Sequence, residues 1–520
     1  MKNISIIILF LLSCLSVQSQ SKIKYKDKPL FAQADFAFYQ GNYAVTKDIF
    51  KDFITKYPTN ETVVYQYGAS LLHLGIDLDT AEMYLNEAMK LGMKEALFDY
   101  GMALYKNEKL EDALRVFQSY RMLSKKERTE DEVYDQVAAI HQAIKMMKSP
   151  VDVTITNLGP KVNTKDSEYT PIITGDGKNL YFTSRRDDSE GGLLDPNGVF
   201  FEDIYYTSKD SIWNQAIRLD STINTKTHDA TVALSADGST MVIYRTNKIL
   251  TGGDLYISYK NDSIGSFWSA PQKMNDNINT KYQEASACLS YNGRVMYFTS
   301  NRPGGMGGKD IYIVRLLPDG EWSKAQNLGP MINTPNDEES PSLNITSTVL
   351  YFSSNGHRTM GGFDIFKSEK VFNEWSFPEN LGYPINTVND ELYLALDRTE
   401  HRGYYSSSKT GGYGQQDIYQ IDFIYREAKD LVVKGLVVSE KNIPIVATIK
   451  LYDQEKDKEV GTYLTNKNTG KYIMALHPLI KYKIIITAEG YEPFEDYLYY
   501  DKLSFDLLEY DIELQHLIAK

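Results

Sequence analysis

The stretch MYFTSNRPGGMGGKDIY, residues 296–312, reads as an aromatic, alternating strand, then a glycine-rich loop, then a second strand opening on Asp310-Ile311-Tyr312. Close variants lie on both sides: LYFTSRR from Leu180, LYFSSN from Leu350, and the strand openings Asp203-Ile204-Tyr205, Asp254-Leu255-Tyr256, Asp364-Ile365-Phe366 and Asp417-Ile418-Tyr419. All four tryptophans, Trp213, Trp268, Trp322 and Trp375, follow these triplets. Ahead of each unit stands an Asn-Thr pair, at Asn163, Asn224, Asn279, Asn333 and Asn386, and five positions after each Asn comes an acid: Glu168, Asp229, Glu284, Glu338 and Glu391.

A unit of about 54 residues with four short strands and glycine-rich turns describes a propeller blade. Five such units fill residues 151–425, so a five-bladed β-propeller is expected there. Asp176-Gly177, Asp237-Gly238 and Asn292-Gly293 fall between the first two strands of their blades, where tight hairpins favour these pairs. The fifth unit has no tryptophan after Asp417 and no room for its own outer strand. The segment from Val151 to Gly159 ends in Asn-Leu-Gly like Asn327-Leu328-Gly329 and Asn380-Leu381-Gly382, so it is expected to supply that strand and close the ring.

Upstream, residues 29–149 carry apolar residues at helical spacing with a period near 34, in which Ala34, Gly68 and Gly101 are equivalent small positions. Small residues let paired helices approach closely, and the segment resembles the tetratricopeptide repeat family; an α-helical tetratricopeptide solenoid is the expectation. Thr46 stands where that family has Ala. Downstream, residues 431–515 alternate apolar and polar side chains with turns, the pattern of a small sandwich of about seven strands. Gly435, Gly470-Lys471-Tyr472 and Gly490-Tyr491 resemble the carboxypeptidase regulatory-like domain, which implies a transthyretin-like β-sandwich without catalytic residues. His477-Pro478-Leu479 departs from that family's turn.

Residues 1–19 have the charged start and short apolar run of a secretory signal peptide, so the chain is expected to be exported to the periplasm or outer membrane. Leu11-Leu12-Ser13-Cys14 approximates a lipobox, which makes Cys14 the lipidation candidate; the alternative is a cysteine discarded with the leader. The 56 basic and 69 acidic residues leave a net charge of −13, against nucleic acid as a partner. Seven histidines lie scattered with no paired spacing, and no G-x-S-x-G elbow occurs. No metal, cofactor or catalytic residues are expected, and the chain is read as a non-enzyme.

The repeated acids and Asn-Thr pairs admit two readings: a five-fold polar ring that binds a cation, glycan or peptide, or a set of locks that hold each blade turn. Residues repeated in every blade serve what every blade needs, which favours the locks, and loops carry specificity where they differ. The first-blade loop, residues 187–201, is longer than its counterparts and is either a contact surface or an untethered insertion.

The order of helical repeats, WD-like propeller of the TolB type and regulatory-like sandwich resembles Bacteroidetes-type envelope proteins, including PorE-type accessory components of the type IX secretion system. That resemblance implies a scaffold binding envelope proteins, secretion-system components among them, with outer-membrane association through a partner or a lipid. Members of the group usually end in an OmpA-like domain. Residues 511–515 stand where it would begin, so peptidoglycan binding is not expected to carry over. The alternative is a glycan- or peptide-binding module of the envelope; a more distant one is an enzyme with a site at the propeller centre.

Overall fold

The computed structural model describes residues 22–123, 128–195, 198–235, 237–247, 250, 252–261, 267–371, 374–409, 411–423, 431–454, 456–476, 480–499 and 508–515. The leader with Cys14, the connection at residues 426–430 and the turn at residues 477–479 lie outside them. Contacts divide the chain into two compact units, Met1–Ile144 and Lys145–Lys520.

In the first unit the described residues form α1 (Lys28–Tyr39), α2 (Tyr43–Lys56), α3 (Glu61–Leu74), α4 (Leu78–Leu91), α5 (Ala96–Lys106), α6 (Leu110–Arg121) and α7 (Glu130–Met147). Asn42, Asn60 and Asp77 each accept a hydrogen bond from a backbone N–H of the first turn, satisfying donors a helix start leaves open. The small positions act as read. A Cβ on Gly68 would meet Leu85 and Tyr84 at 3.1 Å, and one on Gly101 would meet Phe117 at 3.0 Å, so α3 lies close on α4 and α5 on α6. Thr46 is buried and donates to the Ala34 carbonyl at 3.1 Å, which removes the cost of a hydroxyl where Ala is usual.

The tetratricopeptide solenoid is nevertheless a correction. Seven helices are followed directly by strands from Val153 onward, which is a short helical segment and not an extended superhelix. The physical reason lies in what the period encodes: small residues set the distance within a helix pair, whereas a solenoid requires many pairs stacked in one register. Between α3 and α4 the chain passes through Asp77 at φ 46, a left-handed non-glycine residue that departs from the pattern.

The second unit opens with a ring of five antiparallel sheets. Blade 1 runs from its inner strand Glu168–Ile173 through Asn179–Ser184 and Asp203–Ser208 to Ile217–Arg218, and blades 2 to 4 repeat that order from Asp229–Leu234, Ala287–Leu289 and Glu338–Leu343. Blade 5 contains Glu391–Leu396, Arg402–Ser407 and Asp417–Phe423, and its outer strand is Val153–Asn157 from the far end of the segment. Val153 faces Phe423 and Asn157 faces Tyr419, so five residue pairs close the ring. Tight turns join the first two strands of each blade, with Gly177, Gly238 and Gly293 at φ 67 to 70; Ser347 and Glu400 hold the same conformation in blades 4 and 5.

Beyond the ring, two four-stranded sheets face one another. One orders Lys471–Leu476, Leu431–Ser439 and the short strands Leu508–Glu509 and Ile512–Leu514; the other orders Lys458–Leu464, Thr448–Asp453, Lys481–Thr487 and Phe494–Tyr499. Val433, Val437, Ile449, Leu451, Met474, Ile484 and Ile512 fill the space between them. Alternating burial along Leu431–Ser439 and Thr448–Asp453 is the reason these segments fold as half-covered strands.

Candidate functional site

Each repeated acid is consumed by its own blade. Glu338 accepts from Thr334 N at 2.8 Å, Thr334 Oγ1 at 2.7 Å and Ser354 Oγ at 2.8 Å, and Glu168, Glu284 and Glu391 make the same three bonds in their blades. Blade 2 departs in a compensated way. Asp229, one methylene shorter, takes the acid's place, and Arg245 stands opposite it where the other blades have serine.

A basic side chain reaches over each acid to the carbonyl just before the Asn-Thr pair. Arg186 donates to Val162 O at 2.8 Å, Arg245 to Ile223 O and Arg302 to Ile278 O at 2.6 Å. His357 Nε2 does so to Ile332 O at 2.9 Å, whereas Lys409 Nζ reaches one residue further back, to Pro384 O at 2.9 Å. Burial raises the carboxyls of Glu168, Asp229, Glu338 and Glu391 above the ordinary carboxylate range, Glu338 to about 7.

The asparagines act between blades. Asn333 accepts from Ile311 N at 2.8 Å and donates to Ile311 O at 3.1 Å, gripping the third strand of the blade before it. Asn224 grips Ile204, Asn279 grips Leu255, Asn386 grips Ile365, and Asn163 grips Ile418, which carries the clamp across the closure.

The triplet aspartates bind their glycine-rich loops. Asp310 accepts from Met306 N and Gly307 N, Asp364 from Met360 N and Gly361 N, Asp417 from Tyr413 N and Gly414 N, and Asp203 from Glu190 N. On the outer strand a partner meets each one: Arg218 for Asp203, Asn327 for Asp310, Asn380 for Asp364 and Asn157 for Asp417. Asp254 is the more exposed member and pairs with Lys273 at 2.9 Å. Burial pushes Asp203 up to about 7 and Asp364 up to about 8, against the loop amides and, at Asp203, the Arg218 charge.

Every tryptophan packs backwards by one blade. Trp213 meets Tyr404 edge-on at 5.8 Å, Trp268 meets Tyr181 at 5.8 Å, and Trp375 meets Tyr297 at 6.1 Å. Trp322 joins Val232, Val242 and Leu255 of blade 2. The repeated acids, asparagines, triplet aspartates and tryptophans thus bond or pack within the ring, where they hold turns and seams.

Residues that differ between blades gather elsewhere. At the axial rim, Glu202 accepts from Tyr169 Oη at 2.6 Å and pairs with His228 Nδ1, while Glu339 takes Ser286 Oγ at 2.9 Å and the Lys309 ammonium. Burial alone would raise Glu202, but the His228 contact and the Tyr169 hydroxyl hold it below the usual carboxylate range. Below them Thr170, Thr231, Ser286, Ser340 and Tyr393 line the axial cavity of about 130 Å³ or bond across it. These pairings join residues 26 to 61 positions apart in the sequence, and no local motif marks them.

The first-blade loop is tethered. Leu194 bridges Phe200, Phe201 N donates to Leu193 O at 3.1 Å, and Arg185 reaches over to Phe200 O at 2.9 Å and Asp195 Oδ2 at 2.7 Å. At its base Phe201 lies against the His228 ring, 4.1 Å between centres. Leu193 and Leu194 remain 48% and 53% exposed.

No protein-family model matches the chain, and no curated protein matches it. Solved structures similar to it include a TolB from Acinetobacter baumannii, 13% identical over 50% of this chain and 56% of that one with a TM-score of 0.31. A structure described as a glycoside hydrolase is 9% identical over 58% of this chain and 97% of that one, with a TM-score of 0.40. At those values no activity, ligand or partner passes from these proteins to this chain. Among the described residues no helix is long and apolar enough to cross a membrane.

Proposed function

We propose that the chain is a non-enzymatic scaffold of the cell envelope, exported to the periplasm or the periplasmic face of the outer membrane, that binds protein partners within an assembly of the type IX secretion kind. One observation carries the reading: a loop found in one blade only is braced by Arg185 and by its own backbone bonds while it holds Leu193 and Leu194 in solvent. A braced apolar arm loses little conformational freedom on association, which is what a protein-contact element requires. The inward bonding of the repeated acids supports the same reading, because it leaves specificity to the parts that differ.

The test is affinity capture from cross-linked envelopes with the full chain and with the double variant Leu193→Ser/Leu194→Ser. Defined protein partners are expected with the parent and depleted with the variant at unchanged thermal stability. Capture unaffected by the variant, or a chain retained on glycan or sacculus without protein partners, overturns the scaffold reading in favour of the glycan-binding module.

A further inference from the structure

Along the axis of the ring lies a cavity of about 130 Å³ that opens toward the hairpin turns. Its mouth is formed by Ile173, Leu234, Leu289, Leu343 and Leu396, the last residues of the five inner strands, and all five are half-buried. Deeper along those strands stand the hydroxyl side chains of Thr170, Ser286, Ser340 and Tyr393. Tyr393 occupies a position held by threonine or serine in the other blades, and its ring stacks on Tyr169, 6.3 Å between centres, toward the rim that holds Glu202. No charged side chain lines the cavity among the described residues. Burial pushes the Cys288 thiol in its wall upward, so that group is neutral too.

The polar groups inside are unevenly satisfied. Ser286 Oγ is engaged by Thr299 at 2.7 Å and Glu339 at 2.9 Å. Ser340 Oγ and Ser342 Oγ are buried without a hydrogen bond, the Tyr393 hydroxyl lying beside Ser340 without making one. Ser342 is also a departure from the repeat, because the same position is Ile172, Ala233, Cys288 and Ala395 in the other blades. A blade can therefore fill that position with an apolar side chain, and a hydroxyl left bare there costs stability. The backbone adds to this. Thr170, Ser340 and Tyr393 hold φ 50, 56 and 61, a left-handed conformation that non-glycine residues adopt at a cost. Each lies at a break in strand register, a device that re-aims side chains beside binding sites.

Volume and walls decide what would satisfy these hydroxyls. At about 30 Å³ per molecule the cavity corresponds to about four waters, and buried waters make about three hydrogen bonds each. Aliphatic walls and two bare hydroxyls do not supply that number. An apolar cavity of about 150 Å³, by contrast, accepts a benzene-sized molecule. A carboxylate, phosphate or ammonium group would be buried here without compensation. We propose that the axial cavity binds a neutral, phenol-sized ring carrying one hydroxyl, with the ring among the aliphatic side chains and the hydroxyl bonded to Ser340 and Ser342. Such a group arrives either as a free small molecule or as the tyrosine side chain of a bound protein. The site lies apart from the first-blade loop and does not depend on it.

The probe is 4-fluorophenol, followed by fluorine NMR as the full chain is titrated in, with fluorobenzene and 4-fluorobenzoate as controls. Saturable binding of 4-fluorophenol is expected, displaced by phenol itself, with no binding of 4-fluorobenzoate. Fluorobenzene should bind about tenfold more weakly, since one neutral hydrogen bond is worth up to about that factor. Ser342→Ala should weaken 4-fluorophenol by a similar factor while the melting temperature stays equal or rises, because the variant removes a bare hydroxyl. A hydroxyl with a purely structural duty would lower that temperature and leave binding alone. Ala395→Leu, on the cavity wall, should abolish binding by filling the space. Displacement of the probe by acetyl-tyrosine amide and not by its phenylalanine counterpart assigns the site to a partner's side chain, and displacement by phenol alone assigns it to a free small molecule. The variant Leu193→Ser/Leu194→Ser must bind the probe as the parent does, so failure of the loop reading is separable from failure of this one. No saturable binding, equal binding of fluorobenzene, or undiminished binding in Ser342→Ala overturns the proposal.

Discussion

At the residue scale, the acids that recur along the chain have a measurable signature. Asp364 is almost wholly buried, with Met360 N, Gly361 N and Asn380 Nδ2 as its donors and the Glu391 charge nearby, and its carboxyl is pushed up to about 8. An unfolded aspartate titrates near 4. The folded chain thus holds a proton that the unfolded chain has released, so the stability linked to Asp364 is fully present below about pH 4 and is lost as pH rises through about 8. Asp203 and Glu338, both raised to about 7, act in the same direction. Asp364→Asn abolishes one of these titrations while keeping an acceptor oxygen for the loop. Urea unfolding at pH 6 and pH 9 should show the parent losing roughly 2–3 kcal/mol relative to the variant across that interval. Parallel pH dependence of the two proteins would mean that Asp364 is ionised throughout and that its burial is compensated by the loop amides alone.

At the scale of the element, ring closure is the most consequential contact. The strand Val153–Asn157 is five residues long, yet it covers the edge of Asp417–Phe423 and brings Asn163 to its clamp on Ile418. Deleting residues 151–162 removes that ladder and leaves blade 5 with an open edge. The loss should be a large share of the 5 to 15 kcal/mol that a domain has in total, and limited proteolysis should enter the propeller from blade 5. A deletion variant that melts like the parent would show that the ring does not depend on this strand.

The same strand illustrates what could be read beforehand. Its role was legible because Asn157-Leu158-Gly159 repeats Asn327-Leu328-Gly329, and a five-fold repeat supplies its own controls. The basic partners of the acids were not legible, because the position is filled by Arg186, Arg302, His357 and Lys409 at slightly different offsets and by Arg245 from another place altogether. Chemistry persists there while residue type does not. The helical segment failed in the opposite way: Gly68 and Gly101 correctly marked close helix pairs, but a spacing within pairs says nothing of how many pairs stack.

At the scale of the propeller and the two-sheet domain together, the two folds meet at a small junction, where Asn466 Nδ2 donates to Ser239 Oγ at 3.1 Å. Tyr291 leaves the propeller hairpin and packs against the core of the two-sheet domain, with its ring on Tyr463, and its hydroxyl is buried without a hydrogen-bond partner. An unsatisfied buried hydroxyl costs about 1–3 kcal/mol, whereas the ring contributes apolar burial and an aromatic contact of about 0.5–1.5 kcal/mol. The two parts of the side chain therefore act in opposite directions and can be separated. Tyr291→Phe should leave the junction intact and be neutral or stabilising by about 1 kcal/mol. Tyr291→Ala combined with Asn466→Ala removes the ring and the bond to Ser239 at once, leaving the two folds joined mainly by the chain. Differential scanning calorimetry of the three proteins checks this: coupled melting of the two folds in the parent and in Tyr291→Phe, and two resolved transitions in the double variant. If Tyr291→Phe destabilises as much as the double variant, the hydroxyl carries the junction and the aromatic contact does not.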